Sequence, residues 1–136
     1  MDQESIVYGC IKDMAFGNQT QRRMANRNAM LKLPKQDGGP FICQEMFSLP
    51  RKLEGECLTE VMHFGSSYRA IEYEWEQWIA KFEELLGKMY WVSATVHLET
   101  ELSGTHSFTW ESNKSFHVPN SGDMQVRCEW QQDSVF

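Results

Sequence analysis

The sequence contains no glycine-rich phosphate loop, no GxSxG elbow, and no HxH, HxxxH or CxxC pairing. Phosphate cradling, serine-nucleophile hydrolysis and zinc binding each have one of these spacings as a local signature, so none of those chemistries is announced by the residues. His63, His97, His106 and His117 stand far apart, and no metal site is expected from them. Cys10, Cys43, Cys57 and Cys128 are equally dispersed. They read as reduced thiols rather than as a disulfide framework. Cys57 and His63 could be paired as nucleophile and base, but a buried structural thiol is the simpler account. No cofactor is expected, and no enzyme.

Long apolar runs are missing as well. The opening Met1-Asp2-Gln3-Glu4 has neither a basic segment nor an apolar one, so no signal peptide is expected. No stretch approaches membrane-spanning length. These absences predict a cytoplasmic chain without a membrane partner.

Positive charge is in short supply. Lys and Arg number 13 against 19 Asp and Glu, a net charge of −6, which argues against direct nucleic-acid binding because phosphate demands a basic footprint. The deficit is uneven. Residues 1–53 hold eight basic and five acidic side chains, a net +3, and residues 54–136 hold five and fourteen, a net −9. An acidic C-terminal part implies either a basic partner or solubility alone.

What is present fits one α+β domain spanning 1–136. The hydrophobic share of 41% and the charged share of 24% are ordinary for a globular chain, and 136 residues can enclose a core. Ser5 to Asp13 reads as a central strand. Gly17-Asn18 offers a turn and cap for a helix from Gln19 to about Leu33, ended by Pro34, with Met24, Asn28 and Leu31 along one side. Asp37-Gly38-Gly39-Pro40 is a turn. A second strand is expected over Phe41 to Leu49 and a third over Cys57 to Phe64, with a turn over Pro50 to Gly55 between them.

The strongest periodicity runs from Ala70 to Met89, where Ile71, Trp75, Trp78, Ile79, Phe82, Leu85, Leu86 and Met89 form one helical stripe. Glu72, Glu76 and Glu83 fall on an adjacent stripe, and Ser66 or Ser67 could cap the start. Tyr90 to Glu99 alternates as a strand. A three-residue loop at Leu102-Ser103-Gly104 would then place Val96 and Leu98 on one face with His106, Phe108 and Trp110. His97, Glu99, Glu101, Thr105 and Glu111 take the other face, which separates His97 from His106 and removes a zinc site built on both. A last strand, near an edge, alternates Met124, Val126, Cys128 and Trp130 against Gln125, Arg127 and Glu129. The order β-α-β-β-α-β-β-β predicts a ferredoxin-like-derived antiparallel sheet with two helices and extra C-terminal strands.

Candidate binding residues follow from charge and aromaticity. Glu72, Glu76 and Glu83 on the helix and Glu99 and Glu101 on the hairpin are acidic. Tyr73 and Trp91 project away from the apolar sides, as large aromatic anchors for a cationic partner. A helical carboxylate row is more often simply a solvated face, and Trp91 could equally cover the second face of the sheet.

The opening strand Ile6-Val7-Tyr8-Gly9-Cys10-Ile11-Lys12-Asp13 and the aromatic-acidic run Tyr73-Glu74-Trp75-Glu76-Gln77-Trp78 resemble bacterial polymorphic-toxin and type VI secretion immunity proteins. The kind resembled is that paired with restriction-endonuclease-fold nuclease toxins. The resemblance implies a non-enzymatic inhibitor that binds a basic toxin domain, with homodimerisation through a strand edge possible. The alternative is a small enzyme or ligand-binding domain with a cleft between sheet and helices, lined by His63, Glu45 and Tyr68.

Overall fold

The structure is a computed structural model that describes residues 4–14, 19–35, 41–48 and 59–131. The expected cap at Gly17-Asn18, the turns at Asp37 to Pro40 and Pro50 to Gly55, and Cys57 lie outside the described residues. Five strands form one sheet: β1 (Glu4–Met14), β2 (Thr59–Arg69), β3 (Ser93–Thr100), β4 (Gly104–Ser112) and β5 (Met124–Gln131). Two helices accompany it, α1 (Gln19–Leu31) between β1 and β2, and α2 (Trp75–Gly87) between β2 and β3. The strand order is β2-β1-β3-β4-β5, and every pairing is antiparallel. This is the α+β antiparallel architecture that the sequence predicts.

Alternation dictates which face is buried. Ser5, Val7, Ile11 and Asp13 of β1 are buried, while Ile6, Tyr8 and Lys12 are exposed. Ala94, Val96 and Leu98 of β3 and Trp110 of β4 continue the buried side. Against it α2 lays Trp78, Phe82, Leu85 and Leu86, four side chains of the predicted stripe. Phe82 sits at the centre, with ring centroids 5.3 Å from Phe64, 5.2 Å from Trp78 and 5.1 Å from Trp110.

The hairpin is in the predicted phase. Leu98 pairs with His106, Val96 with Phe108 and Ala94 with Trp110, so the two residue sets keep their faces. The loop sits one residue earlier, at 101–103, with Thr100 opposite Gly104. Gly104 has φ 82°, the left-handed conformation expected of it.

Three elements differ from the sequence reading. Phe41 to Ser48 is not a strand but contains a 3-10 turn, Gln44–Met46. The Gln44 Nε2 amide donates to the carbonyls of Leu31 (2.9 Å) and Leu33 (2.8 Å) at the end of α1. Carbonyls that a helix leaves unpaired at its end are thereby satisfied by this segment. A single bridge, Phe47 to Phe64, is what pairs it with β2.

Ser66 and Ser67 do not cap the second helix. They lie inside β2, opposite Val7 and Ile6. The cap comes from β1 instead: the Ser5 hydroxyl accepts the Ile71 N–H at 3.0 Å and donates to Glu72 Oε1 at 2.6 Å. The helix is also shorter than its periodicity, because Ala70 adopts φ 53° and a 3-10 turn, Ile71–Glu74, precedes α2.

Helix α1 turns an unexpected side inward. Met24, Asn28 and Leu31 face solvent, whereas Arg22, Asn26, Ala29 and Met30 are buried. Asn26 bridges to the chain after α2, donating to the Tyr90 carbonyl (2.9 Å) and accepting the Tyr90 N–H (2.7 Å). Arg22 pairs through two nitrogens with the buried Asp13, and Arg23 lies 3.6 Å from buried Glu60. Asp13 and Glu60 are direct cross-strand partners. Two like charges side by side on a buried face would be untenable without the two guanidinium groups that α1 brings.

The loop into β5 is tied by Asp123, which accepts hydroxyl hydrogen bonds from Ser112 (2.6 Å) and Ser121 (2.7 Å). The Ser112 bond foremost, then that of Ser121, hold the Asp123 carboxyl below its ordinary value of 3.8, with His117 adding to the effect. A depressed folded-state pKa contributes stability above the unfolded value and loses it as pH falls through the folded one. Asp123→Asn is therefore expected to lower the urea midpoint at neutral pH. Its gap from the parent should close as pH drops below about 3.8. A gap that stays constant from neutral pH to about pH 3 would remove Asp123 from the acid response.

Candidate functional site

The hairpin turn, the start of β1 and the approach to α2 converge at one end of the sheet. Ser5 pairs with Thr100 on one side and with Tyr68 on the other. Its hydroxyl binds Glu72, so the 3-10 turn that carries Glu72, Tyr73 and Glu74 is anchored beside the strand end that leads to Glu101. The turn 101–103 is stiffened in its own right. Thr100 Oγ1 accepts the Ser103 N–H at 2.9 Å, and Ser103 Oγ lies 3.1 Å from His106 Nε2. The indole N–H of Trp130 on β5 donates to the Ser103 carbonyl.

A rim of carboxylates results. Glu4, Glu74, Glu76 and Glu101 are exposed, and Glu72 and Glu99 are half-buried. Arg69, opposite Glu4 in the β1–β2 ladder, brings positive charge to the same end. Large apolar groups stand among the acids: Tyr73 is 75% exposed and Leu102 69%. Isolated exposed apolar side chains are common on any surface, but an exposed ring beside carboxylates suits a cation-bearing partner.

The open face of the sheet leads away from this rim. Tyr8 donates to Glu99 Oε1 at 3.1 Å, its ring lies 5.0 Å from that of His97, and His97 Nδ1 is 2.8 Å from Ser107 Oγ. Thr95, Thr105 and Thr109 continue the same face, giving a shallow polar surface rather than a cleft.

Of the seven predicted binding residues, the fold brings five to this end: Glu72, Tyr73, Glu76, Glu99 and Glu101. Glu83 lies about 10 Å further along α2 by helical rise. There it accepts the Trp110 indole N–H at 2.8 Å, which makes it a support of the core. Trp91 requires correction, because it is fully buried. Its indole N–H donates to the Leu86 carbonyl at 2.9 Å, and its ring stacks on His117 at 4.6 Å. The segment between α2 and β3 does not yet alternate as a strand at Trp91, which forms instead an isolated bridge with His117.

No family model, curated protein or solved structure matches the chain.

Among the described residues no group of three His, Cys, Asp or Glu side chains could hold a metal ion, and no helix is long and apolar enough to cross a membrane. A pocket of about 380 Å³ opens between the 3-10 segment and the end of β2, lined by residues that include Cys43, Glu45, Ser66, Ser67 and Tyr68. His63 is not part of it. The Tyr68 hydroxyl is already engaged, with the Phe41 carbonyl and, at 3.1 Å, the Trp78 indole N–H.

Sequence reasoning missed the buried charge cluster of Asp13, Glu60, Arg22 and Arg23. A signal existed in Asp13, which shares the inward phase of Val7 and Ile11 on β1. A carboxylate in that phase demands a buried cation.

Proposed function

We propose that this protein is a cytoplasmic immunity protein that binds a cognate secreted bacterial toxin, a nuclease of a type VI or related system, and neutralises it without catalysis. The observation that carries the reading is the gathering of Glu72, Glu74, Glu76, Glu99 and Glu101 with exposed Tyr73 and Leu102 at one end of the sheet. A nuclease surface must attract phosphate, so carboxylates held in a fixed array compete for the same cationic groups. Complementary charge speeds encounter, and buried aromatic anchors slow release. The protein itself is not a nucleic-acid binder on this reading, since its net charge is −6.

On this reading the toxin is encoded in the neighbouring gene, and the test uses its purified C-terminal domain and measures both binding and DNA cleavage. Glu76→Lys with Glu101→Lys, both at exposed positions, is expected to weaken binding about tenfold or more, which is about 1.4 kcal/mol. Glu84→Lys, on the solvent side of α2 between Lys81 and Lys88, is the control for reversing one carboxylate away from the rim. It should leave affinity near that of the parent, whereas Glu76→Lys and Glu101→Lys taken singly should each weaken it. Undiminished nuclease activity at stoichiometric protein would sink the proposal.

A finer fold relationship belongs with this reading. The helix α2 joins β2 to β3 across the intervening antiparallel β1, as in a split βαβ unit. The segment Phe41–Ser48 bridges to the outer side of β2, where a ferredoxin-like sheet would carry another strand. We read the domain as ferredoxin-like-derived, with that strand reduced to one bridge and with β4 and β5 added.

The pocket beside Glu45 and Tyr68 favours the second reading, a small enzyme or ligand-binding domain. A small molecule that co-purifies with the chain and is released by a bulky substitution at Ser66 would support it over toxin inhibition.

A further inference from the structure

The two edges of the sheet are finished differently. On the β2 side, Ser48 donates its N–H to the His63 carbonyl (2.8 Å) and accepts the His63 N–H on its hydroxyl (2.7 Å), beside the Phe47–Phe64 bridge. On the β5 side, strand pairing is to β4 alone, and no described residue pairs with the outer edge. Edge strands are usually guarded by prolines, bulges or charged side chains, and charges guard against self-pairing only where they meet their own sign. Strand β5 runs for eight residues, MQVRCEWQ, without a proline, and carries one charge of each sign.

Its helix-side face is also uncovered. Val126 is 49% exposed and Trp130 53%, and Cys128 between them is exposed too. The helices that bury Val7 and Ile11 of β1, Ala94, Val96 and Leu98 of β3 and Trp110 of β4 do not cover these.

We propose that β5 pairs antiparallel with β5 of a second copy, in the register that sets Cys128 opposite Cys128 and joins the two five-stranded sheets into one. Symmetry restricts the choice. A two-fold axis perpendicular to the sheet continues the open face of one copy into that of the other, so odd residues meet odd and even meet even. Four registers then lie nearest the midpoint of the strand, and the one centred on Val126 leaves Arg127 against the uncharged Gln125 and carries Glu129 beyond the strand to the like-charged Asp123. Centring on Arg127 places two arginines together, and centring on Glu129 places two glutamates together, both unfavourable for directly opposed side chains.

Centring on Cys128 puts Arg127 against Glu129 twice, once on each side of the axis. The same register sets Val126 against Trp130 twice on the helix-side face, a β-branched–aromatic pair that favours strand association. The strand is thus self-complementary in charge and in apolar contact in one register only, and a second copy of the chain is its fitting partner.

Sedimentation and light scattering of the full chain test this directly. The parent is expected at twice the 15.9 kDa of one chain. Glu129→Arg, which places like charges opposite one another twice, should weaken self-association about tenfold or more. Arg127→Glu should do the same, and combining the two should restore the dimer with the pairs reversed. Arg127 also bonds Glu111 within its own chain, so circular dichroism is needed to show that each variant is folded.

A short bis-maleimide linker provides a second readout independent of those variants. It is expected to join Cys128 to Cys128, identified as a cross-linked peptide. A monomer at every accessible concentration overturns the proposal. So does a dimer indifferent to Glu129→Arg, or a cross-link that avoids Cys128.

Discussion

Gly9→Ala is expected to cost about 3 kcal/mol of stability or more, at the upper end of what overpacking usually does. Gly9 faces the helix side of β1, between Phe64 of β2 and Val96 of β3. A Cβ there would stand 1.9 Å from the Thr95 carbonyl oxygen and 2.9 Å from the tip of the Phe64 ring. The ring could yield, but the carbonyl belongs to the backbone of the central β1–β3 ladder. Relief requires moving a strand that also carries Ala94 and Val96 into the core. Denaturant unfolding measures the loss. Trimming the ring in Gly9→Ala/Phe64→Ala should bring no recovery, because the nearer clash is with main chain. A parent-like midpoint for Gly9→Ala would show that the two strands do not approach so closely.

Asp13→Ala is expected to cost about 3–5 kcal/mol, the range for removing one partner of a buried ion pair. The pair is desolvated on both sides, with side-chain exposures of 7% for Arg22 and 3% for Asp13. Arg22 Nε donates to Asp13 Oδ2 at 3.0 Å. The guanidinium also lies over the rings of Phe116 (4.4 Å) and Tyr90 (5.0 Å), so it cannot turn out to water without vacating a packed site. Replacing both partners, as Asp13→Leu/Arg22→Met, should recover much of the loss because no charge is then left unpaired. Equal losses for the single and double variants would mean that the positions matter through volume rather than charge. The measurement is urea unfolding of Asp13→Ala beside the cycle closed by Asp13→Leu, Arg22→Met and their combination.

Much of the sheet was legible in the sequence because alternation and burial go together. The faces of β3 and β4, the edge position of β5, and the apolar stripe of α2 each rest on a periodicity within one element. What was not legible rests on contacts between elements. Phe41 to Ser48 has the composition of a strand, yet Gln44 is engaged with the last carbonyls of α1. Nothing local to Ser5 marks it as the cap of a turn 66 residues later. The inward side of α1 is set by Asp13 and Glu60, two carboxylates on neighbouring strands that draw Arg22 and Arg23 into the interior.

The candidate site divides along the same line. Charge patterning identified the acids on the helix and the hairpin, and the fold gathers five of the seven named residues at one end. Trp91 takes the outward phase only if strand alternation runs back to Tyr90, and β3 begins at Ser93. Its actual neighbours, His117 and Leu86, come from a later loop and from the preceding helix. Glu83 shares the helical phase of its acidic neighbours but meets an indole that only the β4 register brings within reach.

The unequal edges of the sheet also bear on how assembly ends. Phe47 and Ser48 meet Phe64 and His63 on the outer side of β2, so a strand added along that flank would have to displace them, whereas no described residue stands in that place beside β5. A molecule that can grow at both flanks forms fibres, whereas one with a single sticky flank that matches itself is spent after one encounter. Losing the short segment after α1 would thus do more than loosen a helix end. If β5 pairs with itself as proposed, the loss would free a second flank and turn a self-limiting dimer into a particle able to polymerise.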